Sequence, residues 1–491
     1  MDRRRSHVRR QQSAIAAGER FRARAAGRRR RQVKRLSFLA ALLAASAAPL
    51  AAQTVAITGG TVALGDGSEP IPGGTVVIRD GKIAGAGLNI AIPRGAEIID
   101  ARGKWVTPGI VAGFSRLGIS EVDLSADGST DDRAQNSPFS AALDIAPAIN
   151  PMQTTIAVNR ADGVTRAVVA PNIGRNIFGG QGALMDLGAD RDPVTRARLF
   201  QFVEFGERGA GAAGGSRPAT YAMFRNALRE ARELSRFAVS RGGRAETQED
   251  PVVRDPNESR LIGPNVNRSE DIMLTRFDAA ALVPVLQGRQ YLMIHVEAAN
   301  DILNVIKLKR EFPTIRPIMV GVTEGWTVAG EIAASGIPVI ASAVNDLPAS
   351  FEMLAATQSN VGRMRDAGVN VAIGMIDDND TRYLFNQRQY AANLVALGKV
   401  PGAAGVSWGE ALALITSRPA QVIGMGGKIG SLNTGAAGDV VIWSGDPLEL
   451  ASATEAVWID GVRQPLESRQ TKLRDRYQRL DRSALPEAYR R

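Results

Sequence analysis

Hydrophobic and polar positions fall into two textures along this chain. From residue 54 to residue 105, short runs of β-branched residues are interrupted every few positions by Gly, Asp-Gly or Pro-Gly, as in VAITGGTVALGDGSEPIPGGTVVIRDGKIAGAG. Apolar runs bounded by turn residues predict short strands joined in hairpins. The same texture returns over residues 428–466, in KIGSLNTGAAGDVVIWSGDP and EAVWIDGVRQ. Two strand-rich segments at opposite ends predict one small β domain assembled from residues 53–105 and 426–466.

Between these segments the apolar runs are continuous rather than alternating: GVTRAVVAP (163–171), YLMIHVEA (291–298), RPIMVGVTEG (316–325), IPVIASAV (337–344) and VNVAIGM (369–375). Such runs suit parallel strands covered on both faces. Most are followed by helical patterns such as TVAGEIAAS and FEMLAATQSNVGRMRDAG. Repeated strand–helix units predict a (β/α)8 barrel over residues 106–425. Residues 187–290 break this rhythm and are expected to form an irregular insertion. Within them, residues 219–240 place Met223, Phe224, Leu228, Ala231, Leu234 and Phe237 on one helical face. The polar stretch 241–270 is expected to be a solvated loop, and the charged tail 467–491 a surface helix or disorder.

The N-terminus changes how the charge is understood. The whole chain carries a formal +10, and residues 1–32 alone hold twelve arginines against Asp2 and Glu19, the same net charge. Residues 53–491 carry 46 basic and 48 acidic side chains, close to neutral. The basic balance therefore gives no reason to expect nucleic acid or an anionic membrane as partner. Residues 33–52, VKRLSFLAALLAASAAPLAA, have the three parts of a secretory signal peptide: Lys34 and Arg35, an apolar stretch from Leu36 to about Ala48, and small residues before Gln53. The apolar stretch is short for a membrane span. Cleavage after Ala52 and a periplasmic or secreted location are the expectation. Residues 1–32 fit either a reading frame extended upstream of a true start at Val33, or a twin-arginine signal around Arg30 and Arg31 to which RRQVK is a poor match.

Two counts narrow the chemistry. There is no cysteine, which excludes disulfides, Cys-ligated zinc, Fe–S clusters, a thiol nucleophile and a lipoprotein anchor. The histidines are His7 and His295, so a three-histidine site is excluded. After the N-terminal region no run of 18 apolar residues occurs, which excludes a polytopic helical membrane protein.

The segments DGKIAGAG, EIIDARGKWVTPGIV, HVEAANDI, ALALITSRPAQVIGM and IGSLNTGAAGDVVIWSGDPL follow one another at characteristic spacing over residues 54–466. Together they resemble the metal-dependent amidohydrolase superfamily, particularly its imidazolonepropionase-like and prolidase-like members. The resemblance implies an α/β fold, a distorted (β/α)8 barrel with a small composite β-sandwich built from both ends of the mature chain. It also implies hydrolysis of carbon–nitrogen bonds in a small molecule, and frequent homodimers. The divalent ion it implies, zinc being the expected one, lowers the pKa of bound water to about 7 and polarises a carbonyl.

Residue by residue, the resemblance is uneven. Strand one of the family normally ends Pro-Gly, two aliphatics, Asp, a small residue, then His-x-His-Leu-Gly. Here Phe114 and Arg116 stand at the two histidine positions and Ala112 at the Asp. Phenylalanine has no donor atom, and a guanidinium is itself a cation. The strand-five histidine matches His295 in IHVEA, and Glu324 in VTEGW stands for the strand-six histidine. The strand-eight Gly-Thr-Asp reads Gly374-Met375-Ile376, with Asp377 one residue late, a slip that would turn its side chain to the other face. Asp377, Asp378 and Asp380 form either a hard-ion site or a solvated acidic loop.

The candidate catalytic residues are therefore His295, Glu324 and Asp377. His295 is also the candidate metal ligand, and its competing role is a hydrogen-bonded histidine in the barrel mouth, since one imidazole holds zinc weakly. Glu297 and Glu324 are oxygen ligands or salt-bridge partners. Arg116 and Trp326 are candidate substrate contacts. Arg116 is expected to pair with Glu324 or Asp377 in place of an ion, and packing is the alternative for Trp326, as for Trp408, Trp443 and Trp458. The Gly-rich segments GGQGALMDLG and GMGGKIG lack a P-loop ending, and no G-x-S-x-G occurs. Two functions stay open: an exported C–N hydrolase with altered metal dependence, favoured by His295 and its acidic neighbours, or an inactive relative that binds or partners an active paralogue, favoured by Phe114-Ser115-Arg116.

Overall fold

The computed structural model describes residues 54–120, 130–242, 272–376, 381–478 and 487, the side chains of 237–242 excepted. The basic extension, the signal-peptide segment, most of the 241–270 loop, the side chain of Phe237, and Asp377, Asp378 and Asp380 lie outside the described residues.

Five short strands open the fold: β1 (Val55–Val62), β2 (Ile71–Arg79), β3 (Lys82–Gly87), β4 (Glu97–Asp100) and β5 (Trp105–Pro108). Eight more follow: β6 (Ile110–Ser115), β7 (Val164–Val169), β8 (Phe178–Asp186), β9 (Val194–Glu204), β10 (Tyr291–Val296), β11 (Arg316–Gly321), β12 (Val339–Ala341) and β13 (Val371–Ile373). Three close the chain: β14 (Val440–Trp443), β15 (Thr454–Ile459) and β16 (Val462–Arg463). The first and last groups form one sheet in the order β16-β15-β14-β5-β1-β2-β3, with β4 beside β1. The two ends meet where β14 pairs antiparallel with β5, Val440 opposite Pro108 and Trp443 opposite Trp105. Val55, Ile57, Val76, Ile78, Val106, Ile442 and Trp458 form the core of this β domain.

The middle eight strands form the second sheet, in the order β13-β12-β11-β10-β9-β8-β7-β6. Its edges approach each other at one point, where the Met375 N–H donates to the Phe114 carbonyl at 3.3 Å. The result is a nearly closed, distorted barrel. The distortion has a specific source: β8 runs antiparallel to both β7 and β9, while the other pairs are parallel. A meander needs no crossover helix between its strands, so residues 178–204 lack the strand–helix rhythm seen elsewhere. The fourth barrel strand thus lies inside the stretch whose pattern looked irregular.

Pleating sorts the barrel side chains into two layers. Phe200, Phe202, Met293, Ile318, Val320, Ile340 and Ala372 join Val111 and Phe114 in an inner cluster. The interleaved Val203, Ile294, Met319, Val339, Ala341, Val371 and Ile373 pack outward with the helices. Val111 and Phe114 share the inner cluster although they are three residues apart. The pairing of β6 with β7 slips between Ala112 and Ser115, and this bulge breaks simple alternation just before Arg116.

Helix Arg217–Gly242 buries Phe224, Leu228, Ala231 and Leu234, the face expected from its periodicity. Residues 351–368 were expected to be one helix, and the structure differs. A single turn at Phe351–Met353 is followed by loop, and the helix runs only over Asn360–Asp366. The backbone of Ala355 is committed elsewhere: its N–H donates to Glu324 Oε1 at 3.0 Å and its carbonyl accepts from Trp326 Nε1 at 2.8 Å. Among the described residues no helix is long and apolar enough to cross a membrane.

A buried ion cluster joins barrel and β domain. Arg166 on β7 donates to both oxygens of Asp439, at 2.7 and 2.9 Å, and to Asp460 at 2.7 Å. Removing one partner of a buried pair leaves an uncompensated charge and costs about 3–5 kcal/mol, so Asp439→Ala should lose on that order. Asp460, whose side chain is 57% exposed, should cost under about 1 kcal/mol when changed to alanine. Denaturant unfolding of the two variants measures the contrast, and equal losses would contradict this assignment.

Candidate functional site

The inward-facing series on two adjacent strands continues past the apolar core into charge. On β9, Phe200 and Phe202 are followed two residues later by Glu204. On β10, Met293 is followed by His295 and then Glu297. The two strands are parallel and in register, with His295 directly opposite Glu204. The pleat therefore brings a carboxylate and an imidazole together at the carboxyl ends of neighbouring strands, the face where barrel enzymes carry their chemistry.

The geometry is a three-member chain. His295 Nδ1 is hydrogen-bonded to Glu204 Oε1, and Nε2 to Glu297 Oε1 at 2.9 Å. Glu204 and Glu297 are 1% and 2% exposed. Glu297 is fixed by a second contact, its Oε2 accepting from the Thr323 N–H at 2.9 Å. Gly321 makes room for it: a Cβ there would sit 2.2 Å from Glu297 Oε1, and φ is +91°. No other residue type fits that point without moving the carboxylate.

Electrostatics follow from this arrangement. Burial alone would pull the imidazole pKa down, but the charge and hydrogen bond of Glu204, then those of Glu297, outweigh it and hold His295 well above its ordinary value of 6.5. The raised value favours the imidazolium, the form in which both ring N–H groups donate to the flanking carboxylates. Beyond it, Arg217 bridges Asp301 at 2.7 Å and Glu352 at 3.2 Å, and Glu352 also accepts from the Glu207 N–H at 2.7 Å. Burial is the main reason the Glu352 carboxyl is pushed up.

The other candidate residues are placed as follows. Glu324 begins the turn after β11; its two oxygens accept the N–H groups of Ala299 and Ala355, both at 3.0 Å. It ties three mouth segments together; of the two partners expected for Arg116, Glu324 thus serves backbone N–H groups. Arg116 is buried, with its guanidinium 5.7 Å from the Phe114 ring, and its N–H donates to the Thr381 carbonyl. Phe114 is 1% exposed and packs 6.0 Å from the Phe202 ring, inside the barrel. Trp326 is half-buried, lies 4.3 Å beneath the Arg363 guanidinium, and donates its indole N–H to Ala355. Asp377 lies outside the described residues. Glu204 was not among the candidates. A carboxylate closing an apolar run, as in LFQFVEFG, repeats the pattern of IHVEA and was the available signal.

Residues 331–463 match the model of a family described as "Amidohydrolase family". The chain is 25% identical over 404 residues to Amidohydrolase tasK of Hapsidospora irregularis, covering 76% of this chain and 38% of that protein. It is 27% identical over 425 residues to a dihydroorotase of Anaeromyxobacter dehalogenans (strain 2CP-C), covering 77% and 87%. The crystal structure of an amidohydrolase from Thermotoga maritima MSB8 shares the fold, with a TM-score of 0.69 at 23% identity over 83% of this chain and 99% of that one. Together these matches support a relation to the amidohydrolase superfamily. The chain spans 38% of the length of the first of these relatives.

The superfamily implies a divalent ion, and the described residues do not fit one as they stand. Among them no group of three or more His, Asp or Glu side chains is disposed to hold a metal. Both nitrogens of His295 face carboxylates, so neither presents a lone pair.

One measurement checks the charge state. In NMR the His295 Cε1–Hε1 signal, assigned by its loss in His295→Gln, should keep the shift of a charged ring at pH 7. Since the folded-state pKa is raised, the stability drawn from this pairing is whole below pH 6.5 and fades as pH rises through the folded value. A ring already neutral at pH 7 would overturn the imidazolium assignment.

Proposed function

We propose that this protein hydrolyses a carbon–nitrogen bond of a small molecule at the carboxyl end of its barrel, with His295 as the proton-handling group. The buried chain Glu204–His295–Glu297 is the observation that carries this reading. An imidazolium supplies a proton to a departing nitrogen, which amide cleavage requires because an amide anion is a poor leaving group. Water adds to the carbonyl first; the Nε2 proton then leaves its bond to Glu297 for the departing nitrogen, and the neutral ring takes up the proton that the added water gives up. A C–O bond forms, the C–N bond breaks, and the imidazolium is restored. Glu204 and Glu297 orient the ring and stabilise its charged form. The test is a panel of linear and cyclic amides and dipeptides. His295→Gln should lower kcat by about 10²–10⁴-fold, the range for removing a general acid–base group, with folding checked by circular dichroism. Unchanged turnover in that variant would remove His295 from the reaction.

A second reading is carried by Phe114. An aromatic ring packed inside the barrel at a strand-one position, with Arg116 beside it, favours a binding protein, either a homodimer or the partner of an active paralogue. Absence of turnover across the panel, together with co-purification of a related barrel protein, would favour this second reading.

Export is part of the proposal. It is supported by the basic, apolar and small-residue segments of residues 33–52. Expressed from its own leader in a Gram-negative host, the protein should be recovered from the periplasm with Gln53 near its new N-terminus. Retention in the cytoplasm at full length would sink this part.

A further inference from the structure

Two buried carboxylates, Glu204 and Glu297, flank His295. Arg217 is committed to Asp301 and Glu352, and Glu324 spends both oxygens on backbone N–H groups. Glu297 likewise gives one oxygen to His295 and the other to the Thr323 N–H. One carboxylate oxygen is left over. Glu204 Oε1 is bonded to His295, while Glu204 Oε2 is buried and has no hydrogen-bond partner among the described residues. An unpaired carboxylate oxygen out of water is costly unless a donor completes it. This oxygen sits at the end of the inward-facing series of β9, beside the group assigned to the chemistry.

We propose that the barrel mouth takes a cationic small molecule, whose ammonium or guanidinium group donates to Glu204 Oε2. The proposal deepens the hydrolase reading and rests on it for the location of the site: it names a positively charged amide or amine derivative as the substrate class. The cation supplies the missing donor, and charge-assisted bonds are about twice as strong as neutral ones. A neutral isostere would leave Oε2 unsatisfied, and an anionic one would add repulsion from Glu204 and Glu297.

Binding, rather than turnover, tests this, so its failure is distinguishable from failure of the hydrolase reading. The intact protein is titrated at pH 7 by calorimetry with n-butylammonium and n-butylguanidinium, then with n-butanamide and n-butyrate, and separately with zinc alone. The two cations should bind saturably and the other two compounds should not. Glu204→Gln should weaken cation binding on the order of tenfold or more, the loss of a charge-assisted hydrogen bond. Glu311→Gln, the same charge change at an exposed position paired with Arg225, should leave it unaltered. The charge preference of the unmodified protein decides the matter even if Glu204→Gln folds poorly. Equal binding of all four organic compounds, or no binding of the cations, would overturn the proposal. Zinc binding that blocks at Glu204 while the organic cations fail to bind would overturn it as well.

Discussion

The bond between Arg166 and Asp439 holds the two halves of this molecule in register. The chain must leave a β domain, build an entire barrel and return to complete the sheet it left. Asp439 stands where that return happens, immediately before β14. Its carboxylate takes both arms of Arg166 on the second barrel strand, its carbonyl accepts the Gly109 N–H at the entrance to the first, and its Oδ1 also accepts the Asp460 N–H. One buried acid therefore fixes barrel, entry strand and returning hairpin together. Apolar packing supplies most of the cohesion on both sides of this junction, but packing is not directional, and a bidentate pair is.

The barrel mouth obeys the opposite rule. There one group of charges gathers around a single ring. Registration of β9 with β10 places Glu204 against His295, the absence of a side chain at Gly321 admits Glu297, and the turn after β11 holds that acid by the Thr323 N–H. Backbone geometry thus gathers two carboxylates around one ring and favours its protonated form. Glu324 contributes differently, as a brace between the segments that begin at Ala299 and Ala355.

Much of the fold was legible in the chain because its signals are local. The apolar runs at 291–298, 316–325 and 369–375 became β10, β11 and β13, and the matching textures at the two ends became one sheet. His295 could be picked out because histidine is so scarce here. What escaped notice depends on distant partners. Glu204 gains its meaning from a strand about ninety residues later, and nothing near it in the chain shows that. The antiparallel course of β8 is set by its neighbours, not by FGGQGALMD. The loop over 351–359 has good helical periodicity, yet Glu324 and Trp326 hold its backbone out of helix. Arg116 was expected to pair with Glu324 or Asp377; Glu324 gives both oxygens to backbone N–H groups, and Asp377 lies outside the described residues.

Phe114 is also the residue at which the barrel is sealed. Its carbonyl receives the one described hydrogen bond between the first and last strands, and its Cβ would lie 3.1 Å from a Cβ at Gly374, a point already 2.7 Å from Ile340. Ring, seam and missing side chain are one steric unit. Sequence drift at this spot is therefore contingent: a smaller polar side chain at 114 would open a void that only a compensating change at 374 or 340 could refill. Exchanging this phenylalanine alone would unseat the seam, so positions 114, 340 and 374 are free to change only together.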